Sequence, residues 1–233
     1  MAASIQKAVT PVHHVFVTGA TGYIGRRLIP ALRARGHRVS ALARPGRQAA
    51  LPPGCSAVIG DALDAESYQA DLSGCDTLVH LVGVAHPGPA KAEQFLSVDL
   101  ASTNAAVAAA LQADVSHIVY VSVAQPAPVM RAYVAARAAG EALLRASGIA
   151  ATFVRPWYVL GPGHRWPLVL LPAYWVAARI PQFRDTALRL GLVTIDQMVA
   201  ALVGAVENPA TGVRVVDVPA MRAAACCVPA SRA

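Results

Sequence analysis

Residues 15–28, VFVTGATGYIGRRL, set Gly19, Gly22 and Gly25 at three-residue intervals between an apolar run and a helical pattern. Few local patterns limit a fold so strongly. Gly19 lets the chain turn sharply off a buried strand. Gly22 removes a side chain where backbone must approach an anion, and Gly25 lets the following helix pack tightly on a sheet. The free N–H groups at that helix start suit a diphosphate.

The alternation continues along the chain. HHVFVTGA (13–20), HRVSALAR (37–44), CSAVIGD (55–61), DTLVHLVGV (76–84), HIVYVSVA (117–124) and ATFVRP (151–156) read as strands. Helices are expected over 23–36, closed by Gly36, within AESYQADLSG, over the Ala-rich 91–112, and around Tyr133. Short apolar runs alternating with helices predict parallel strands joined by right-handed crossovers. The expected class is α/β, a doubly wound parallel sheet (Rossmann fold) with a small C-terminal substrate-side lobe. Residues 13–156 form the dinucleotide-binding core, 157–222 form a lobe completing the same domain, and 1–12 and 223–233 read as flexible tails. In the lobe, Thr194 and Gln197 have capping-box spacing before a helix, and GVRVVDV reads as a last strand.

A chain of 233 residues suffices for one sizeable core. Its net charge of +7 gathers early, where Arg26, Arg27, Arg33, Arg35, Arg38, Arg44 and Arg47 all precede the first acid, Asp61. Most of these belong on the solvated side of one helix. No recognition motif accompanies them, so no nucleic-acid partner is expected. Cys55, Cys75, Cys226 and Cys227 lack metal-ligand spacing and read as reduced thiols. The N-terminus lacks the apolar core of a signal peptide, so a cytoplasmic location is expected. The run WPLVLLPAYWVAA (166–178) is too short to span a bilayer and holds two interior prolines. It reads first as a core helix. The other readings are a hydrophobic-substrate wall, a mobile cover, or a membrane-surface or protein contact.

The end of the second strand bears on the cofactor. A site preferring NAD(H) places a carboxylate there for the ribose 2′-hydroxyl. This chain places Arg44, with Arg47 nearby, and a guanidinium fork suits a 2′-phosphate instead. NADP(H) is therefore favoured, with NAD(H) as the alternative. Thr21, Tyr23 and Ile24 complete the glycine loop. Asp61 and Ala62 after the third strand reach toward the adenine, or Asp61 caps the next helix. Leu81, Val82 and Gly83 line the adenosine side through backbone.

TGATGYIG (18–25), GD (60–61), VYVSV (119–123), the Tyr133 helix and RPWYVLGPG (155–163) stand in an order that resembles the short-chain dehydrogenase/reductase superfamily, in its atypical, NmrA-like and epimerase-like branches. The likeness covers roughly residues 13–218. It implies an oxidoreductase or epimerase acting on a small, hydrophobic carbonyl or alcohol, or else a non-catalytic dinucleotide-binding regulatory or accessory protein. It implies Tyr133 as acid/base, Ser122 polarising the substrate, and Pro156 turning backbone toward the nicotinamide. Arg137 stands where the family has Lys, and Asp99 about where it has Asn, with Asn104 one turn later. A unit charge about 4 Å from a phenolate is worth roughly 4 kcal/mol at an effective dielectric near 20. Arg137 is thus expected to tune Tyr133 and hold the ribose. The plainer reading is a surface i,i+4 pair of Arg137 with Glu141. Trp157, Tyr158, His164, Arg165 and Trp166 are expected to wall the substrate cavity. His86 falls near its mouth.

Overall fold

The computed structural model describes residues 11–85, 87–164, 168–169, 171–177 and 179–225. The elements run β1 (His14–Thr18), α1 (Gly25–Ala34), β2 (Arg38–Ala43), β3 (Ser56–Ile59), β4 (Thr77–His80) and α2 (Ala92–Gln94). A π-helical turn (Phe95–Leu100) carries α2 into α3 (Ala101–Gln112), followed by β5 (His117–Val121), α4 (Arg131–Ala146) and β6 (Ala150–Val154). The lobe adds β7 (Tyr158–Leu160), α5 (Leu171–Ala177), α6 (Pro181–Arg189), β8 (Leu192–Thr194), α7 (Ile195–Glu207), β9 (Val213–Val216) and α8 (Val218–Ala225).

Seven strands form one parallel sheet in the order β3-β2-β1-β4-β5-β6-β9. The chain winds outward from β1 to β3, then returns to place β4 on the other side of β1. That reversal opens a crevice at the carboxyl ends of β1 and β4, where ligands of such sheets bind. The central strands β1, β4, β5 and β6 are buried on both faces and are mainly apolar, while the edge strands β3 and β9 are partly open to solvent. Val15 and Val17 pack in one layer with Leu28 and Leu32 of α1 and Leu202 of α7. Phe16, between them, packs in the other with Leu78, Ala106 of α3 and Leu144 of α4.

Both the core and the lobe depart from expectation in places. The stretch after β3 forms two short 3-10 turns, Ala65–Ser67 and Gln69–Leu72, instead of a regular helix. β7 and β8 form an unforeseen two-stranded parallel sheet. The capping box is made: Thr194 Oγ1 accepts from the Gln197 amide and the Gln197 side chain accepts from the Thr194 amide. α8 runs to Ala225, past the start of the expected tail. The reading of 166–178 as a core helix is corrected. The central strands are already covered on both faces by other elements, and Leu171, Trp175 and Val176 of α5 are left exposed. Among the described residues no helix is long and apolar enough to cross a membrane. Cys55 and Cys75 are free thiols, and Cys226 and Cys227 lie outside the described residues.

His80, wholly enclosed at the end of β4, shares hydrogen bonds with Thr18 Oγ1 (2.8 Å) and Ser102 Oγ (3.3 Å). Burial, then the charge of Arg137, lowers its pKa from 6.5 to about 3. The folded protein keeps His80 neutral down to that pH, while the unfolded chain protonates it near 6.5. Stability is therefore complete above about pH 6.5 and declines as pH falls toward 3, by about 1.4 kcal/mol per pH unit for this group. His117, lowered to about 4 by burial, acts in the same direction. Urea unfolding of wild type and His80→Asn checks this. Between pH 6.5 and 5, wild type should lose about 2 kcal/mol more than the variant.

Candidate functional site

A cleft of about 330 Å³ opens at the carboxyl ends of β1, β2 and β4. Gly19, Thr21 and Gly22 form one wall and Leu81, Val82 and Gly83 another, with Arg44, Asp61 and Ala62 also lining it. Gly19 has φ +71°, and a Cβ there would lie 2.9 Å from the Leu81 carbonyl carbon. A Cβ on Gly25 would meet Ala20 O at 2.5 Å, so α1 seats on the strand end only with glycine there. Arg44 is exposed beyond the end of β2. Asp61 lines the cleft, and its Oδ1 accepts from the Leu63 amide at 3.0 Å in a tight turn. The next helical turn is capped by Asp64, whose side chain accepts from the Glu66 amide, so the reading of Asp61 as that cap is corrected. The sequence reading omitted Leu42, Ala43, Gly60, Leu63 and Val98, which also line the cleft. Val98 sits on the π-helical turn, which carried no recognisable sequence signal.

A second pocket, of about 350 Å³, is lined by Tyr23, Ile24, Ser122, Tyr133, Pro156, Trp157, Tyr158 and His164. Pro87, Val121, Val123, Met130 and Val159 complete a mostly apolar wall. The Tyr23 ring lies 4.3 Å from His164 and 4.1 Å from the Arg27 guanidinium carbon. Tyr133, on the first turn of α4, packs against Phe95 with ring centres 5.2 Å apart. Met130 starts that helix in the left-handed region, φ 57°. His86, Arg165 and Trp166 lie outside the described residues.

Two polar networks, one around Glu141 and one around Arg137, sit beside the pocket in an arrangement the sequence did not suggest. Ser122 gives its hydroxyl hydrogen to Glu141 Oε1 at 2.6 Å. Glu141 also accepts from Arg155 Nε at 2.8 Å, Gln125 Nε2 at 2.9 Å and Arg145 at 3.0 Å. Burial acts to raise this carboxyl, but the bonds from Arg155, Ser122 and Arg145 outweigh it and hold it below the ordinary range. Arg137 is buried and does not pair with Glu141. Its Nη1 donates to Val121 O at 2.9 Å, and its Nη2 donates to Val82 O at 3.2 Å and lies 2.7 Å from Asp99 Oδ1. The other Asp99 oxygen accepts from the Val84 amide at 3.0 Å. Burial raises the Asp99 carboxyl above its ordinary range, against the pull of Arg137. A Cβ on Gly83 would collide with Arg137 Nη2, so only glycine separates this guanidinium from the cleft. The surface-pair reading of Arg137 with Glu141 is corrected: each is buried and answers a different partner, because α4 packs across the ends of both β5 and β6.

Residues 19–164 match the family model described as NAD(P)H-binding. The chain belongs to that NAD(P)H-binding family. Its fold and relatives place it in the short-chain dehydrogenase/reductase superfamily. The ceramide reductase of Caulobacter vibrioides is 30% identical over 85% of this chain and 62% of its own length. The chain thus spans less than two thirds of that relative. The 3-diazoavenalumate denitrifying reductase of a Streptomyces species is 32% identical over 85% of this chain and 73% of its own. The Bordetella bronchiseptica enzyme WbmH, solved with NAD+, has the same fold, with a TM-score of 0.65 and 21% identity over 88% of this chain and 75% of its own.

A dinucleotide of this family fits the cleft. The Gly19 and Gly22 backbone leaves room at the amino end of α1, where the helix dipole favours a diphosphate. Leu81, Val82 and Gly83 offer a flat backbone wall opposite.

Proposed function

We propose that this protein is an NADP(H)-dependent reductase of a hydrophobic carbonyl compound, with Tyr133 as the proton donor. The observation that carries this reading is a glycine-walled cleft and an apolar pocket holding a half-buried tyrosine, both flanking the turn from Gly19 to Gly25. The names of the two reductases above support reduction over epimerisation, and ceramide is itself a lipid.

The dinucleotide, when bound, supplies hydride to the substrate carbon. Gly19, Thr21 and Gly22 would hold its diphosphate, and Asp61 and Ala62 its adenosine end. Tyr23, Ile24 and Pro156 would orient its nicotinamide end. Tyr133 gives its phenolic proton to the carbonyl oxygen as charge develops there. The apolar walls, with Trp157 and Tyr158, exclude water and strengthen that transfer. Ser122 does not polarise the substrate in this reading, because Glu141 takes its donor. Arg137 acts as a positioning residue and not as a ribose ligand, since Asp99 and two carbonyls hold its fork.

Arg44 supplies the preference for the 2′-phosphate. Loss of one charge-assisted contact is worth about 1.5–3 kcal/mol, so Arg44→Ala should reduce the NADPH/NADH affinity ratio roughly tenfold to hundredfold. Fluorescence titration with both dinucleotides measures it, and an unchanged ratio removes Arg44 from the argument. The reaction is tested by single-turnover NADPH oxidation against long-chain ketones, quinones and sterol ketones. Tight binding with no oxidation by any of them would replace the enzyme reading with a non-catalytic dinucleotide-binding one.

A further inference from the structure

We infer that the α5–α6 hairpin docks on an anionic phospholipid surface and brings the substrate pocket to it. Val169 is 76% exposed and Trp175 63%, and Leu171, Val176, Ile180 and Phe183 are also open to solvent. Leu171 and Trp175, one helical turn apart, share the outward face of α5. Monomeric soluble proteins rarely leave so many large apolar side chains together without a partner.

The charges around the patch identify that partner. Between Arg155 and Asp196 the sequence holds four arginines and one acid, Asp185. The Arg179 guanidinium carbon sits 3.1 Å from the centre of the Trp175 ring, and Arg184 is exposed one helical turn before Leu188. An aromatic ring with cationic neighbours beside an apolar face suits the boundary between acyl chains and anionic headgroups. A second copy of this face would bring two net-positive patches together, which like-charge repulsion opposes. Tyr174 of α5, half-buried, lies beside Trp157 of the pocket wall. Docking therefore faces the pocket toward lipid-dissolved compounds. This consequence rests on the reductase reading, whereas the docking itself does not.

The full chain is sedimented with phosphatidylcholine vesicles and with vesicles containing phosphatidylglycerol, without cofactor or substrate. The bound fraction should be at least tenfold higher on the anionic vesicles and should fall with added salt. Arg179→Glu with Arg184→Glu should remove about fivefold or more per position, and Trp175→Ser a comparable amount, with NADPH affinity unchanged in both as evidence of folding. Equal binding to both vesicle types, or variants that bind like wild type, would overturn the inference. A concentration-dependent dimer in light scattering that Trp175→Ser dissociates would overturn it too, assigning the face to a second copy.

Discussion

Tyr133→Phe should lower single-turnover reduction by about 10²- to 10⁴-fold, the range for loss of a positioned general acid, while leaving dinucleotide affinity and stability near wild type. The substitution removes one oxygen. The ring that packs on Phe95, with centres 5.2 Å apart, remains. The phenol is half-buried in the pocket wall and not enclosed in the core, so its loss leaves no buried donor or acceptor stranded. The two readouts therefore separate. Reaction rate is followed by NADPH absorbance under enzyme excess, and affinity by quenching in the same preparations. A rate within threefold of wild type would remove Tyr133 from the mechanism. A rate loss accompanied by an equal loss of affinity would make it a packing residue.

That Tyr133 stands at a pocket was legible in the order of motifs along the chain. The glycine turn was legible because its evidence is local. Gly19, Gly22 and Gly25 each answer a backbone requirement within a few residues, and a Cβ at Gly19 or Gly25 would strike neighbouring main chain. The end of β2 was legible through composition, since no acid precedes Asp61. The parallel sheet followed from apolar runs of the right length. What stayed hidden depends on long-range placement. Helical spacing pointed Arg137 toward Glu141, but Arg137 reaches Asp99 on the π-helical turn, and Glu141 reaches Ser122 and Arg155 beyond β5 and β6. Nothing in the periodicity of residues 91–112 marked the π turn that points Val98 into the cleft and Asp99 into the interior. β7 and β8 are three-residue strands pairing across the whole hairpin, too short for a period-two signal. The run 166–178 was apolar enough for a core, yet hydrophobicity says only that a segment seeks cover, not that the fold provides it.

Asp99 and Arg137 are the two places where the chain departs from the catalytic pattern it resembles, and the structure joins them to each other. A buried guanidinium is tolerable only with a counter-charge and satisfied donors. Asp99 supplies the charge at 2.7 Å, and Val82 and Val121 accept from the fork. The pair ties the loop after β4, the end of β5 and the π-helical turn into one floor beneath Gly83 and Tyr133, whose ring centre lies 5.4 Å from the guanidinium carbon. Asp99→Ala leaves that cation uncompensated and also removes the acceptor of the Val84 amide. It should cost about 3–5 kcal/mol, a large part of the roughly 5–15 kcal/mol that holds a domain folded. Adding Arg137→Met should recover much of the loss, because a buried ion pair replaced on both sides by apolar groups is often near neutral. The measurement is urea unfolding of wild type, both single variants and the double, which yields a coupling of about 2–3 kcal/mol if the two act as a unit. Additive losses would show that each residue is held by its backbone contacts alone. The same four proteins separate structure from chemistry: a stable double variant that binds NADPH with wild-type affinity would show that Arg137 holds the floor and does not grip the cofactor.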